Sequence, residues 1–170
     1  VSDVVCPWCA VGLGSLQQAL QRLEGEVQAD IHFQPFQLNP QMPPEGQDIV
    51  EHLQQKYGLG AEQQAKNWQA LRERAAQAGF DFREEGRGRT WNTFDAHRVL
   101  HWAGEQGAAA QATVKRALLE AYFGRGENPS APEVLLAAVR AAGLDERRAK
   151  EVIDGDAHAA EVRAQLQFYA

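Results

Sequence analysis

Val1-Ser2-Asp3-Val4-Val5-Cys6-Pro7-Trp8-Cys9-Ala10-Val11-Gly12-Leu13-Gly14 opens the chain, and the fold turns on how this stretch is read. Val1 to Val5 reads as the end of a strand. From Cys6 onward the pattern becomes helical, with Leu16, Leu20 and Leu23 at spacings of four and three and Gly25 as the expected stop. Cys6 therefore falls where a strand hands over to a helix, and this placement gives the CxxC spacing its chemical meaning. Unpaired N–H groups and the positive end of the helix dipole favour a thiolate at Cys6, drawing its pKa from ~8.5 toward ~3.5–7.5. Pro7 is tolerated in the first turn, where its missing N–H has no intrahelical partner. Cys9 comes round one turn later, within disulfide reach. Neither Pro7 nor Trp8 is cationic, so the dipeptide adds no positive charge of its own. Cys6 is the expected nucleophile and Cys9 the expected resolving thiol.

Further along, Val27, Ala29, Ile31 and Phe33 alternate with Gln28, Asp30, His32 and Gln34, the period of a half-buried strand, until Pro35 interrupts. Strand, capped helix and strand form the setting in which CxxC reads as redox-active rather than as two buried thiols. Asn39 to Asp48, with Pro40, Pro43, Pro44 and Gly46, reads as a loop that marks a boundary. From Ile49 to Ala170 the patterns are helical almost throughout. Ile49, Leu53 and Tyr57 share a face before Gly58, and Trp68, Leu71, Ala75 and Ala78 share one before Gly79. Phe80 to Thr90 reads as a loop, after which Asn92 or Thr93 caps a helix carrying Phe94, His97 and Leu100 and closed by Gly107. A helix from about Gln111 to Phe123 follows. Ser130 and Glu133 form a capping box around Pro132, and Asp145 and Asp156 each cap one further helix. Residues 1–40 are thus expected to form one unit, 41–154 a helical insert, and 155–170 a return toward the first unit.

Composition narrows the function. The 170 residues carry 17 Lys and Arg against 23 Asp and Glu, a net charge of −6, with no long basic run. Nucleic acid is excluded as a partner on that ground. No stretch approaches the ~20 apolar residues of a membrane span, and the first residues are no secretory signal. A cytoplasmic location is the expectation. A chain of this size buries roughly 70% of its unfolded surface, so its cysteines are not needed as staples.

Rival readings use the same residues. Cys6 and Cys9 with His97 and His101 reproduce the CxxC and HxxxH spacings of a zinc site. Compact zinc modules separate the pairs by about 12–15 residues, far fewer than intervene here, so no metal is assigned. His97 reads as a half-buried packing histidine, with a place near the thiols as the alternative. His32, His52 and His158 read as ordinary polar positions. Trp68, Trp91, Trp102, Tyr122 and Phe123 read as core rather than as a ligand cage. Gly86 and Gly88 lack the strand and Lys-Ser or Lys-Thr pair of a phosphate loop.

SDVVCPWCAVG (2–12), PFQLNP (35–40), WNTFDAHR (91–98) and AYFGRGENPS (121–130) resemble, in that order, the DsbA-like thioredoxin-fold oxidoreductases of the FrnE type. Ser2, Asp3, Cys6, Pro7, Trp8, Cys9 and Gly12 match the opening motif of that group. Pro35, Phe36, Leu38, Asn39 and Pro40 match its second strand and turn, and Asn92, Ala96 and His97 its helical insert. The resemblance implies an α/β thioredoxin-like fold interrupted by a large helical domain. It also implies thiol–disulfide exchange or disulfide isomerisation on a disulfide-containing protein, with no required cofactor. The same group resembles 2-hydroxychromene-2-carboxylate isomerases and kappa-class glutathione transferases, which usually carry serine at the place of Cys6. On that second reading glutathione is the partner, and Asn92 and His97 receive a small aromatic substrate. A non-enzymatic zinc-holding or interaction module is the third. The group's Val-Pro turn and the hairpin after it have no counterpart here, so further sheet strands are expected beyond the ends of this sequence. The sequence leaves the oligomeric state open.

Overall fold

Cys6 takes the N-cap position with extended backbone, φ −93° and ψ 111°, and helix α1 runs Pro7–Arg22. The structure, a computed structural model, describes residues 1–170. Strand β1 (Gln47–Asp48) precedes α2 (Ile49–Tyr57) and α3 (Ala61–Gln77), and β2 (Arg89–Thr90) precedes α4 (Phe94–Glu105). The chain continues through α5 (Ala108–Leu119), a π-helical turn (Glu120–Gly124), α6 (Pro132–Ala141), α7 (Glu146–Asp154) and α8 (Ala159–Tyr169). Helices α4 to α7 pack on one another, α8 lies on α4, and α1 crosses α3. One continuous core joins Val4, Val5, Ala10 and Leu13 beside the motif to Leu118, Tyr122, Leu135 and Val139 of the helical body. No helix is long and apolar enough to cross a membrane.

Several local expectations hold for local reasons. Gly58, at φ 69°, ends α2 with its N–H on the Gln54 carbonyl, a left-handed cap that glycine adopts at no steric cost. Asp145 caps α7 by accepting from the N–H groups of Arg147 and Arg148. The aromatic residues are mostly core. Phe82 stacks on Phe123 at 4.5 Å and on Trp68 at 5.5 Å between ring centroids, and Tyr122 donates its hydroxyl to the Arg89 carbonyl at 2.9 Å.

Other expectations fail, each for a physical reason. The leucine stripe of α1 is not its core face: Leu16 and Leu23 are exposed, while Ala10, Leu13 and Gly14 are buried. Small residues are required there because α1 passes close to the end of α3. A Cβ on Gly14 would lie 2.0 Å from the Ala78 carbonyl oxygen. Gly14→Ala is therefore expected to destabilise the protein by about 1–3 kcal/mol in denaturant unfolding. Gly12→Ala, where a Cβ meets nothing within 4 Å, is the control and gains helix propensity instead.

The two expected strands are also absent. Val27–Phe33 carries no bridge, and the one parallel bridge joins Ser2 with Pro35 just beyond it, where the Ser2 N–H donates to the Gln34 carbonyl at 3.1 Å. Val27 to Asp30 are all exposed, so their alternation has no buried face to select. Farther along the segment, side chains replace a sheet partner. Gln111 accepts from the Phe33 N–H at 2.8 Å and donates to its carbonyl at 3.0 Å, while Asp3 accepts from the Leu38 N–H at 2.8 Å. The one antiparallel ladder pairs Gln47 with Thr90 and Asp48 with Arg89, inside stretches read as loops. Residues of the Ser130–Glu133 box do not cap: α6 begins at Pro132 without a side-chain cap, and Asn128 takes the Ser130 N–H at 2.9 Å. Asp156 does not cap α8 either, whose N-cap is His158.

Candidate active site

At the mouth of α1, the Cys6 and Cys9 thiols form an S–H···S pair, both half-buried and neither in a disulfide. The bond to Cys9, together with burial, pushes the Cys6 thiol up. The same bond pulls Cys9 down to about 6 against the opposing effect of burial, aided by the Asp3 backbone N–H and the Lys115 charge. The sequence places the ionised sulfur on Cys6, through the unpaired N–H groups and the dipole of the helix. In this arrangement the interaction between the thiols is the largest influence on both sulfurs, and the first proton is lost by the pair as a unit. Cys6 occupies the N-cap position, yet its side chain makes no cap hydrogen bond.

Beneath the pair lies a buried polar hub. Asp3, 1% exposed, accepts from the Val4 N–H and the Leu38 N–H, each at 2.8 Å. His97 Nε2 sits 3.2 Å from Asp3 Oδ1 and 2.9 Å from the Phe36 carbonyl, so it donates to both. Burial works against the Asp3 carboxylate, but the His97 and Leu38 bonds and the Lys115 charge hold it below the usual carboxylate range. Lys115, on α5, is also 1% exposed, and its Nζ has no hydrogen-bond partner. Burial pushes it down to about 8, with Asp3, Cys9 and Cys6 opposing. It faces the Phe33 ring at 5.8 Å from the centroid. An ammonium in such a place is retained by the negative charges around it, namely Asp3 and the thiolate.

Cys6, Pro7 and Trp8 line a cavity of about 400 Å³ between the motif and helices α2 and α3. Leu53, Tyr57, Leu59, Trp68 and Leu71 make its walls apolar, with Lys56 and Arg87 also contributing. Trp8 is 60% exposed beside it. Cys9 does not line this cavity.

The other sequence-predicted residues lie elsewhere. His97 is fully buried rather than half-buried, and it is fastened to Asp3 beneath the thiols. Asn92 donates to the Met42 carbonyl at 2.7 Å, accepts from the Phe94 N–H at 2.9 Å, and lines a separate cavity of about 670 Å³ with Phe36 and Arg163. Neither lines the cavity at Cys6. The Cys6, Cys9, His97 and His101 set is not brought together as metal ligands. Lys115 is the residue that sequence reasoning missed. Its signal is periodic: Gln111, Val114, Lys115 and Leu118 share the buried face of α5, and a lysine on a core face calls for a buried counter-charge.

The DSBA-like thioredoxin domain matches residues 1–168 of the chain. A probable DsbA oxidoreductase from Streptomyces coelicolor is similar in structure, with a TM-score of 0.82 and 31% sequence identity over 98% of this chain and 71% of that one. Comparison with curated proteins gives no match. A thiol pair at the mouth of the first helix, packed onto a helical body and matched end to end by that profile, identifies the chain as a member of the DsbA-like thioredoxin-domain family of thiol–disulfide oxidoreductases.

Proposed function

We propose that the chain exchanges its Cys6–Cys9 dithiol with disulfides of polypeptide substrates, and that within its family it belongs to the FrnE type. The observation that carries this reading is that Cys6, and not Cys9, lines the apolar cavity. As Cys6 attacks, its proton passes along the S–H···S bond to Cys9, so the thiolate forms on the sulfur that meets the substrate. A Cys6–substrate mixed disulfide forms and one substrate sulfur leaves as thiolate, taking up a proton. Cys9 then loses its proton and displaces the second substrate sulfur, closing the Cys6–Cys9 disulfide. Two electrons pass from the dithiol to the substrate, and the reverse sequence oxidises a substrate dithiol. Asp3, His97 and Lys115 act as positioning residues, setting the charge beneath the sulfurs.

The cavity walls and the exposed Trp8 suit an apolar stretch of unfolded chain better than a small polar solute. Lys56 and Arg87 offer cations for the carboxylates of glutathione, which is the small thiol partner on this reading. The exchange itself needs no cofactor. In a cytoplasmic setting, where glutathione and thioredoxin keep thiols reduced, the balance favours reduction or isomerisation.

Trapping tests the assignment of roles. Cys9→Ser is expected to accumulate a mixed disulfide on Cys6 with disulfide-intact insulin, one insulin sulfur leaving as thiolate, visible by non-reducing electrophoresis and mapped by peptide mass. Cys6→Ser is expected to trap none. Trapping on Cys9 instead of Cys6 would reverse the roles.

A further inference from the structure

One turn beyond His97 on α4, His101 and Glu105 stand four residues apart on one face, and His158 meets them from the N-cap of α8. One ligand atom from each lies within 4.8 Å of the others. His101 Nε2 is 3.7 Å from Glu105 Oε1, and His158 Nε2 is 3.7 Å from Glu105 Oε2. Those gaps are too long for hydrogen bonds. They are short enough for donors that each approach one ion at ~2.0–2.2 Å.

Three further features fit the same use. His101 Nδ1 faces Gln165 Oε1 at 3.3 Å, so an N–H there leaves the Nε2 lone pair turned toward Glu105. This is the outer-sphere bond that orients a metal-ligating imidazole. His158 is the one non-glycine residue with left-handed backbone, at φ 61°. Such strain costs about 1–3 kcal/mol and gathers at ligand clamps. The two imidazoles lie 5.1 Å apart at 43°, against one carboxylate and without a cation from the chain between them. Each histidine side chain is 19% exposed and Glu105 is 51% exposed, which leaves an ion a way in.

We propose that His101 Nε2, the Glu105 carboxylate and His158 Nε2 bind a divalent transition-metal ion of the zinc class, which clips the start of α8 to α4. Nitrogen, nitrogen and carboxylate oxygen are a ligand set that such an ion accepts, with solvent completing its coordination. The clip lies on neither cysteine. It fixes the helix that brings Arg163, Leu166 and Gln167 to the cavity of about 670 Å³.

The test uses tag-free full chain carrying Cys6→Ser and Cys9→Ser, so that thiols bind no metal. Co²⁺ titration is expected to show one ion per chain with the visible bands of nitrogen and oxygen ligands and no thiolate charge transfer, displaced by Zn²⁺. Zn²⁺ is expected to raise Tm and slow amide exchange in α8. His158→Gly keeps the left-handed backbone without strain, and Glu105→Gln changes an exposed group, so both variants fold. Each is expected to weaken Co²⁺ binding by at least about 10–100-fold, the scale of losing even an outer-sphere partner. Equal affinity in these variants, or no Co²⁺ binding by the dithiol-free chain, would overturn the assignment.

Discussion

Cys6→Ser brings disulfide turnover down to the enzyme-free rate in an insulin-reduction assay, a fall of at least roughly three orders of magnitude for loss of a nucleophile. A hydroxyl in place of the thiol is not ionised near neutral pH and forms no bond to substrate sulfur that Cys9 could exchange. The fold is not the cause of the loss. Cys6 Sγ makes no cap hydrogen bond, and the start of α1 rests on Pro7 and on the backbone bonds from the Cys9 and Ala10 N–H groups to the Cys6 carbonyl. Circular dichroism and unfolding midpoint are therefore expected to stay near those of the parent. Turnover that survives the substitution would remove Cys6 from the chemistry and leave the architecture alone standing.

Asp3→Ala is expected to cost about 3–5 kcal/mol of stability, the scale on which a buried charged network loses one partner. Three donors depend on the carboxylate: the Val4 N–H, the Leu38 N–H and His97 Nε2. The buried Lys115 ammonium depends on its charge. For a chain of this length the loss lowers Tm by roughly 6–20 °C. Asp3→Asn, which keeps one acceptor oxygen, is expected to cost less, about 1–3 kcal/mol. The two variants also change the acid limb of stability. The Asp3 carboxyl is held below its ordinary value in the folded protein, so its contribution is complete above the unfolded carboxylate pKa of ~3.9. It is lost as pH falls through the lower folded value, and both variants lack that part of the acid transition. An unfolding free energy unmoved by Asp3→Ala would show that the hub does not hold the second segment against the motif.

The dithiol was legible because its setting is local. Cys6, Pro7 and Cys9 lie within one turn, and a helix that begins at Pro7 follows from the fixed φ of proline and its missing donor. Gly58 and Asp145 were legible for the same reason, each acting on backbone within four residues. The extended segment was not. Its alternation from Val27 to Phe33 carries the period of a strand, but its hydrogen bonds go to Gln111 and Asp3, which folding brings from 78 and 35 residues away. Lys115 was hidden in the same way: the negative groups around it come from Asp3 and the thiols, at the other end of the chain. The Leu16, Leu20 and Leu23 stripe has the right spacing and the wrong face, because close approach to Ala78 selects the smallest side chain rather than the largest. His158 carries no sequence pattern at all. Its meeting with His101 and Glu105 is set by where α8 begins.

The proton shared between the sulfurs is measured most directly by following thiolate absorbance in the reduced protein as pH is raised. One thiolate per chain is expected to form with a midpoint of about 6, and the second only at far higher pH. Lys115→Met, which removes the buried positive charge beneath the pair, moves that first midpoint up by about one pH unit. Two thiols ionising together near ~8.5, with no response to Lys115→Met, would contradict the shared proton and the hub that supports it.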